Sequence, residues 1–231
     1  MPKRYVFFTA LSYAYPIYRP LQEAIRARGD EVAWFLEGEC PDLLKPDEIR
    51  LHTINDVIEY NPLAIFACGN IIYHFLPGIK VSVFHGYPIG KRGEKSSATD
   101  DHFSIRGWFD MYCTQGPSST EYFKQLEAKH QFFKVYQTGW AKVDDYFSSY
   151  KKENDVPTIL YATTFSRGIT SAPVLVDTIS RLVKEKKWNW RLTFHPKLND
   201  QALLDRYRAL ADEYSNVTFV DNVRLEDFQQ S

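Results

Sequence analysis

Two histidines stand at the end of apolar runs, a position from which a side chain can take part in chemistry. His85 follows the run 81–84 and precedes a Gly-x-Pro turn that starts at Gly86. A neutral imidazole can accept a proton near neutral pH, so His85 is a candidate general base for a hydroxyl group. Gly86 would let a substrate approach the backbone closely, which makes it a candidate substrate-binding residue. The alternative for His85 is a histidine that only hydrogen-bonds within its turn.

His195 repeats this arrangement, after the apolar run 190–194 and before Pro196. It is the second candidate catalytic residue, because two such histidines could face each other across a cleft. A histidine whose hydrogen bonds are satisfied in the turn before proline is again the alternative.

A basic segment with two glycines, 89–97, follows the His85 turn directly. Lys91 and Arg92 in this segment are candidates for binding phosphate groups of a substrate. A solvated surface loop is the other interpretation, because the segment is not a Walker A sequence and no G-x-G-x-x-G motif follows a strand. The acidic pair and histidine at 100–102 lack a second ligand pair at a recognisable spacing. The sequence therefore predicts no metal site and no cofactor.

Alternating strand and helix patterns must position these residues. The apolar run 5–10, a helical pattern that stops at Gly29 and a second apolar run at 32–36 form a βαβ unit, whose crossover implies parallel strands covered by helices. A further helix is predicted to begin near Gly116. After the polar run 151–155, the alternation starts again with two more helices. Later strands are predicted at 63–67, 81–84, 111–113, 134–136, 158–161, 190–194 and 217–220.

This alternation predicts an α/β protein with two Rossmann-like units and mostly parallel sheets. We place the domain boundary in the polar run, which divides the chain into residues 1–152 and 153–231. In such sheets ligands bind beyond the carboxyl ends of the strands, where His85 and His195 are expected to lie. The second unit has fewer residues than a doubly wound domain usually needs, so it is expected to be incomplete.

Composition narrows the possible functions. The 28 basic and 29 acidic side chains nearly cancel, so a nucleic-acid partner is not expected. Three cysteines without a C-x-x-C pair argue against a disulfide framework and fit a reducing cytosol. No run approaches the roughly 18 apolar residues that span a bilayer, so membrane contact would be peripheral, at the inner face of the plasma membrane. The familiar motifs of hydrolases, zinc proteases and kinases do not occur.

Five segments resemble, in the same order, motifs of the CDP-glycerol glycerophosphotransferase family, which includes polymerases and primases of teichoic acid synthesis. The family's H-G-T-P signature is similar to H-G-Y-P here, and its Y-A-P-T-W strand end is similar to Y-A-T-T-F. Tyr87 and Thr163 are the departures within these two motifs, and the family's later D-Y-S-S-type segment has no counterpart. The matched segments lie at 85–88, 109–116, 138–144, 161–165 and 194–196.

The resemblance implies a GT-B fold, with two Rossmann-like domains around a cleft and the nucleotide held mainly by the second. It implies that an acceptor hydroxyl attacks the β-phosphate of CDP-glycerol, so that glycerol phosphate is transferred and CMP is released. His85 matches the histidine regarded as the base, and His195 matches the histidine expected near the diphosphate. Thr164 and Lys197, in or beside matched segments, are candidate substrate-binding residues.

The implied partners are CDP-glycerol or a similar nucleotide donor and a glycan or lipid-linked acceptor. Because a fold alone does not decide chemistry, a UDP-sugar-dependent glycosyltransferase or epimerase of the same fold is an alternative. A truncated, non-catalytic protein that only binds the acceptor is the other alternative.

Overall fold

The computed structural model describes residues 1–86, 105, 107–144 and 154–221. The chain divides into two compact units, Met1–Asp144 and Asp145–Ser231. Every strand pairing in the described residues is parallel, and helices separate most consecutive strands. The α/β class with two parallel sheets, which the alternating sequence pattern predicts, is confirmed.

Seven strands form the sheet of the first unit, in the order β3-β2-β1-β4-β5-β6-β7. The order reverses between β1 and β4, and open parallel sheets of this kind bind ligands at such a reversal, beyond the carboxyl ends of the strands. The strands are β1 Arg4–Thr9, β2 Glu31–Leu36, β3 Ile49–Leu51, β4 Ala64–Ala67, β5 Ile79–Ser82, β6 Met111–Thr114 and β7 Lys134–Gln137.

Apolar clusters cover both faces of this sheet. Val6 and Phe8 point to one cluster, and Phe7 between them points to the other, where its ring stacks on that of Tyr18 at 4.6 Å. Burial on both faces explains why β1 is a continuous apolar run instead of an alternating one. The α-helices described in this unit are α1 Tyr15–Arg26, α2 Ile54–Tyr60 and α3 Pro117–His130.

A buried ionic network fastens the connection between β2 and β3 to α1. The Glu48 carboxylate accepts hydrogen bonds from Arg19 Nε at 3.1 Å, Gln22 Nε2 at 3.0 Å and the Lys45 amide at 2.8 Å. Burial alone would raise the pKa of Glu48, but these hydrogen bonds outweigh it and lower the pKa. Trp34 Nε1 donates to Gln22 Oε1 at 2.7 Å and so joins β2 to the same network.

Three parallel strands form the sheet of the second unit, in the order β10-β9-β8. Its core packs Val176, Ile179 and Val183 against Leu192 and Tyr207. The described elements are β8 Thr158–Thr163, α4 Ala172–Glu185, β9 Asn189–Phe194, α5 Gln201–Glu213 and β10 Val217–Val220. The three strands and two helices predicted here are confirmed.

None of the helices in the described part of the chain has both the length and the apolar composition needed to cross a bilayer.

Candidate functional site

His85 lies just beyond β5, on the carboxyl edge of the first sheet. The amide of Val83 still donates to the Ala67 carbonyl at 3.0 Å, but Phe84 has a positive φ of 54° and turns the chain away from the sheet. A bulky side chain rarely adopts this conformation, and strained backbone of this kind concentrates at functional sites. The Phe84 ring packs edge-on to Phe123 at 5.3 Å, and this buried contact holds the turn.

A hydrogen bond fixes the tautomer of His85. Its Nδ1 lies 3.1 Å from the carbonyl oxygen of Cys68, which follows β4. A carbonyl oxygen can only accept, so Nδ1 must carry the proton. In the neutral ring the lone pair is then on Nε2, the nitrogen that can accept a proton from a substrate.

The surroundings of this imidazole include Tyr13 and Cys68, the residue whose carbonyl accepts its hydrogen bond. The ring of Tyr13, in the loop after β1, lies 5.1 Å from the His85 ring at an angle of 32°. Burial raises the pKa of Tyr13, and a nearby Cys68 charge would raise it further. Burial also raises the pKa of the Cys68 thiol to about 11. Neither group is therefore ionised at neutral pH.

Gln115 fixes the turn after His85 from the next strand along the sheet. It directly follows β6, and its Nε2 donates to the Gly86 carbonyl oxygen at 2.5 Å. Only 6% of Gln115 is exposed. Gln115, Tyr13 and Cys68 are site neighbours that the sequence reasoning missed, although each follows an apolar strand as His85 does.

His195 directly follows β9 in the second unit and has the opposite tautomer. The backbone amide of Lys197 donates to His195 Nδ1 at 3.1 Å. An amide nitrogen can only donate, so Nδ1 is the acceptor and the neutral ring carries its proton on Nε2. His195 Nε2 is therefore a hydrogen-bond donor, as phosphate oxygens require.

Phe165 contacts both His195 and Lys197. Its ring lies 4.5 Å from the His195 ring, and Lys197 Nζ lies 5.7 Å from the Phe165 ring centre. The second contact is a cation–π interaction, which steadies the ammonium group without neutralising it.

A pocket of about 760 Å³ opens beside Phe165. It lies between the loops that follow β8 and β9 and the first turns of α4 and α5, so two helix N-termini border it, and these favour anions. Asp200 supplies the N-cap of α5, since its carboxylate accepts from the Leu203 amide at 3.1 Å. Cationic side chains outnumber this carboxylate. The lining of the pocket includes Phe165, Arg167, Thr170, Lys197 and Asp200.

The remaining sequence-predicted site residues differ in their placement. Thr164 is half-buried just before Phe165 and is not among the described residues that line the pocket. Lys91 and Arg92 fall outside the described residues. Arg167 and Thr170 line the pocket but carried no sequence signal beyond their place after an apolar strand.

No group of three or more histidine, cysteine or acidic side chains able to hold a metal ion occurs among residues 1–86, 107–144 and 154–221.

No protein-family model matches the sequence, and a search of curated proteins found no significant match. Solved structures do match. A protein described as a UDP-N-acetylglucosamine 2-epimerase from Listeria monocytogenes has a TM-score of 0.65 at 12% identity, over 99% of this chain and 71% of its own. The glycosyltransferase SnogD from Streptomyces nogalater has a TM-score of 0.51 at 15% identity, over 98% of this chain and 74% of its own.

A variant of the wall teichoic acid polymerase TagF has a TM-score of 0.59 at 10% identity, over 99% of this chain. The match covers 64% of the TagF chain, so this chain spans less than two thirds of that structure. Identities this low show the fold alone. The fold is GT-B-like, as the sequence resemblance implies.

Proposed function

We propose that this protein transfers glycerol phosphate, or a related polyol phosphate, from a CDP-activated donor to a hydroxyl group of a teichoic-acid-like or other surface glycan. The observation that carries the proposal is the pair of opposite histidine tautomers. His85 presents a proton acceptor at Nε2, and His195 presents a proton donor at Nε2. A phosphoryl transfer needs one group of each kind, a base for the attacking hydroxyl and a donor for the phosphate oxygens.

In the proposed reaction His85 accepts the proton of the acceptor hydroxyl as its oxygen bonds to the β-phosphorus of CDP-glycerol. The bond between the β-phosphorus and the bridging oxygen breaks, and CMP leaves with that oxygen and the bonding electron pair. Transfer of this kind depends mainly on positioning and charge stabilisation, so the protein need not form a covalent intermediate.

The second unit has the chemistry to hold the donor phosphates. Arg167 and Lys197 line the pocket of the second unit. His195 contacts Phe165, which also lines this pocket. Guanidinium, ammonium and imidazole N–H groups all donate to phosphate oxygens, and the first turns of α4 and α5 add favourable dipoles. Thr170, whose side chain accepts from the Ala172 amide at 3.4 Å, adds a hydroxyl to the same wall.

A UDP-sugar-dependent glycosyltransferase or epimerase is the second candidate function. It is favoured by the structural neighbours, because one with a TM-score of 0.65 is described as a UDP-N-acetylglucosamine 2-epimerase. An epimerase would also use a nucleotide diphosphate site, so the pocket in the second unit does not separate the two candidates. The identity of the nucleotide does.

Nucleotide turnover by the full chain tests the proposal. CDP-glycerol and UDP-N-acetylglucosamine are each incubated with the protein, with and without short glycerol phosphate oligomers as acceptor, and CMP, UDP and sugar products are quantified. We expect CMP release that depends on the acceptor. Conversion of the UDP-sugar alone would support the second candidate, and the absence of both reactions and of nucleotide binding would reject both in favour of a non-catalytic acceptor-binding protein.

A further inference from the structure

Gln115 has an unused hydrogen-bond acceptor beside the His85 turn. Its Nε2 is satisfied by the Gly86 carbonyl, but its Oε1 is buried and has no hydrogen-bond partner among the described residues. A buried polar atom left without a partner is destabilising, so such atoms are few in native proteins. An unsatisfied acceptor at a strand end is therefore a candidate position for a ligand that supplies the missing donor.

The identity of the unsatisfied atom follows from its surroundings. The Gly86 carbonyl can only accept, so the NH₂ end of the Gln115 amide must face it, and the atom left over is the oxygen. Because both atoms belong to one planar amide group, Oε1 also lies beside the Gly86 turn. No described atom lies within 4 Å of where a β-carbon of Gly86 would be.

The backbone at Gln115 is held firmly, so its side chain starts from a fixed point. Ser119 Oγ and Thr120 Oγ1 donate to the carbonyl of the next residue, Gly116, at 3.0 Å and 2.8 Å. Thr114, the residue before Gln115, is fully buried and its Oγ1 lies 2.6 Å from Thr120 Oγ1. Preorganised polar groups of this kind orient ligands effectively.

We propose that Gln115 Oε1 accepts a hydrogen bond from a second hydroxyl group of the acceptor, adjacent to the hydroxyl that His85 deprotonates. This inference rests on the proposed function. The attacking hydroxyl gives its proton to His85 and cannot donate it to Gln115 as well. A phosphate group ionised at neutral pH offers Oε1 few donors, whereas a vicinal diol supplies one. Gln115 is thus a positioning residue that selects acceptors with two neighbouring hydroxyls.

Two probes that differ by one hydroxyl group test this selection. sn-Glycerol 3-phosphate has hydroxyls on adjacent carbons, and 3-hydroxypropyl phosphate keeps the terminal hydroxyl but lacks its neighbour. Binding of each to the full chain is measured by NMR titration, which needs no turnover. We expect the wild type to bind the diol about 3- to 10-fold more tightly, the effect of one hydrogen bond, and the side-chain amide signal of Gln115 to shift with the diol only.

The Gln115→Met variant should lower this preference to about one, since methionine has a similar length but no good acceptor. Gln137→Met is the matched control, because Gln137 ends the neighbouring strand β7 but is exposed, and it should keep the wild-type preference. Partial unfolding of a variant would lower its apparent affinity for both probes equally, so the ratio of the two affinities is unaffected. If Gln115→Met does not fold, the wild-type ratio and the Gln115 amide signal still decide.

Equal affinities for the two probes in the wild type, an unperturbed Gln115 amide signal or no binding of either probe would overturn the inference. These outcomes are separate from a failure of the proposed function, which is detected by the absence of CMP release from CDP-glycerol. Acceptor-dependent CMP release with equal use of both probes would leave the transferase standing and remove the role of Gln115.

Discussion

At the scale of single residues, one backbone contact fixes the tautomer of each histidine. His85 donates to the carbonyl of Cys68, which is 17 residues away in the sequence, and His195 accepts from the amide of Lys197, two residues away. The sequence predicted both histidines at strand ends, because that follows from local patterns. It could not predict the tautomers, since the partner of His85 is brought to it only by the pairing of β4 with β5.

Substituting glutamine at each histidine in turn separates the two roles. A glutamine keeps an N–H donor near the place of Nε2 but cannot take up a proton at neutral pH. His85→Gln should lower turnover by roughly 100-fold or more, as for loss of a general base, with little change in donor binding. His195→Gln should lower turnover by less than about 10-fold, whereas His195→Ala should weaken donor binding by about 10-fold or more, as expected for a hydrogen bond to a charged group.

The measurement is steady-state CMP release together with the affinity for CDP-glycerol. His74→Gln is the control, because His74 is exposed on the segment between β4 and β5. Near-normal turnover of a folded His85→Gln variant would show that His85 is structural. An equally severe loss of turnover in His195→Gln would contradict the donor role.

At the scale of elements, strands and helices with a strong apolar periodicity were predicted from the sequence, whereas those with a weak periodicity were missed. The strands β1, β2, β4 and β6 and the helix α1 were predicted within a few residues, because each buries a clear apolar run or stripe. β3 and α2 were missed. Two of the three residues of β3 are exposed, and α2 has only seven residues, so each element is too short for its periodicity to stand out.

The start of α2 did have a signal that the sequence reasoning overlooked. Thr53 Oγ1 accepts from the Asp56 amide at 3.1 Å, and the Asp56 carboxylate accepts from the Thr53 amide at 2.9 Å. This is a capping box with aspartate in place of glutamate, a local pattern that predicts a helix start. The predicted strand 81–84 also ended two residues early, at Ser82, because Phe84 turns into the left-handed region.

Two glycines with the same backbone conformation allow a matched test of how the elements pack. Gly78 and Gly29 have φ values of 82° and 78°, so alanine is strained at both. At Gly78 a β-carbon would also overlap the Pro62 carbonyl oxygen and lie 2.8 Å from that of Leu63, whereas at Gly29 nothing lies within 4 Å. Gly29→Ala should cost about 1 kcal/mol from the backbone alone. Gly78→Ala should cost at least about 2 kcal/mol more, because the strand β4 must shift.

Hydrogen exchange of the slowest amides in β1 and β4 measures the free energy of unfolding of the first unit in each variant. Similar losses of unfolding free energy in the two variants would mean that the backbone conformation alone matters and that the residues before β4 move at little cost.

At the scale of the whole molecule, the GT-B-like architecture could be predicted because it follows from a repeated local pattern. Each strand-helix alternation implies a parallel crossover, and two such series imply two sheets. The surroundings of the candidate sites could not be predicted in the same way. Tyr13 and the Cys68 carbonyl contact His85, and Gln115 holds the neighbouring Gly86, each from a different strand end. Arg167 lines the pocket of the second unit from an irregular loop.

The activity itself was inferred from motif resemblance, and the histidine tautomers support it independently of that resemblance. One intact molecule is proposed to carry a base in its first unit and a phosphate-binding donor in its second. These roles depend on which ring nitrogen of each histidine carries the proton, and this can be observed without any ligand.

Nitrogen NMR of the intact, ¹⁵N-histidine-labelled protein at about pH 8, where an imidazole of ordinary pKa is neutral, tests this central claim most directly. The His85 and His195 signals are assigned by their loss in His85→Gln and His195→Gln. We predict a proton on Nδ1 and none on Nε2 of His85, and the reverse for His195. The same tautomer at both histidines, or a proton on Nε2 of His85, would contradict the account.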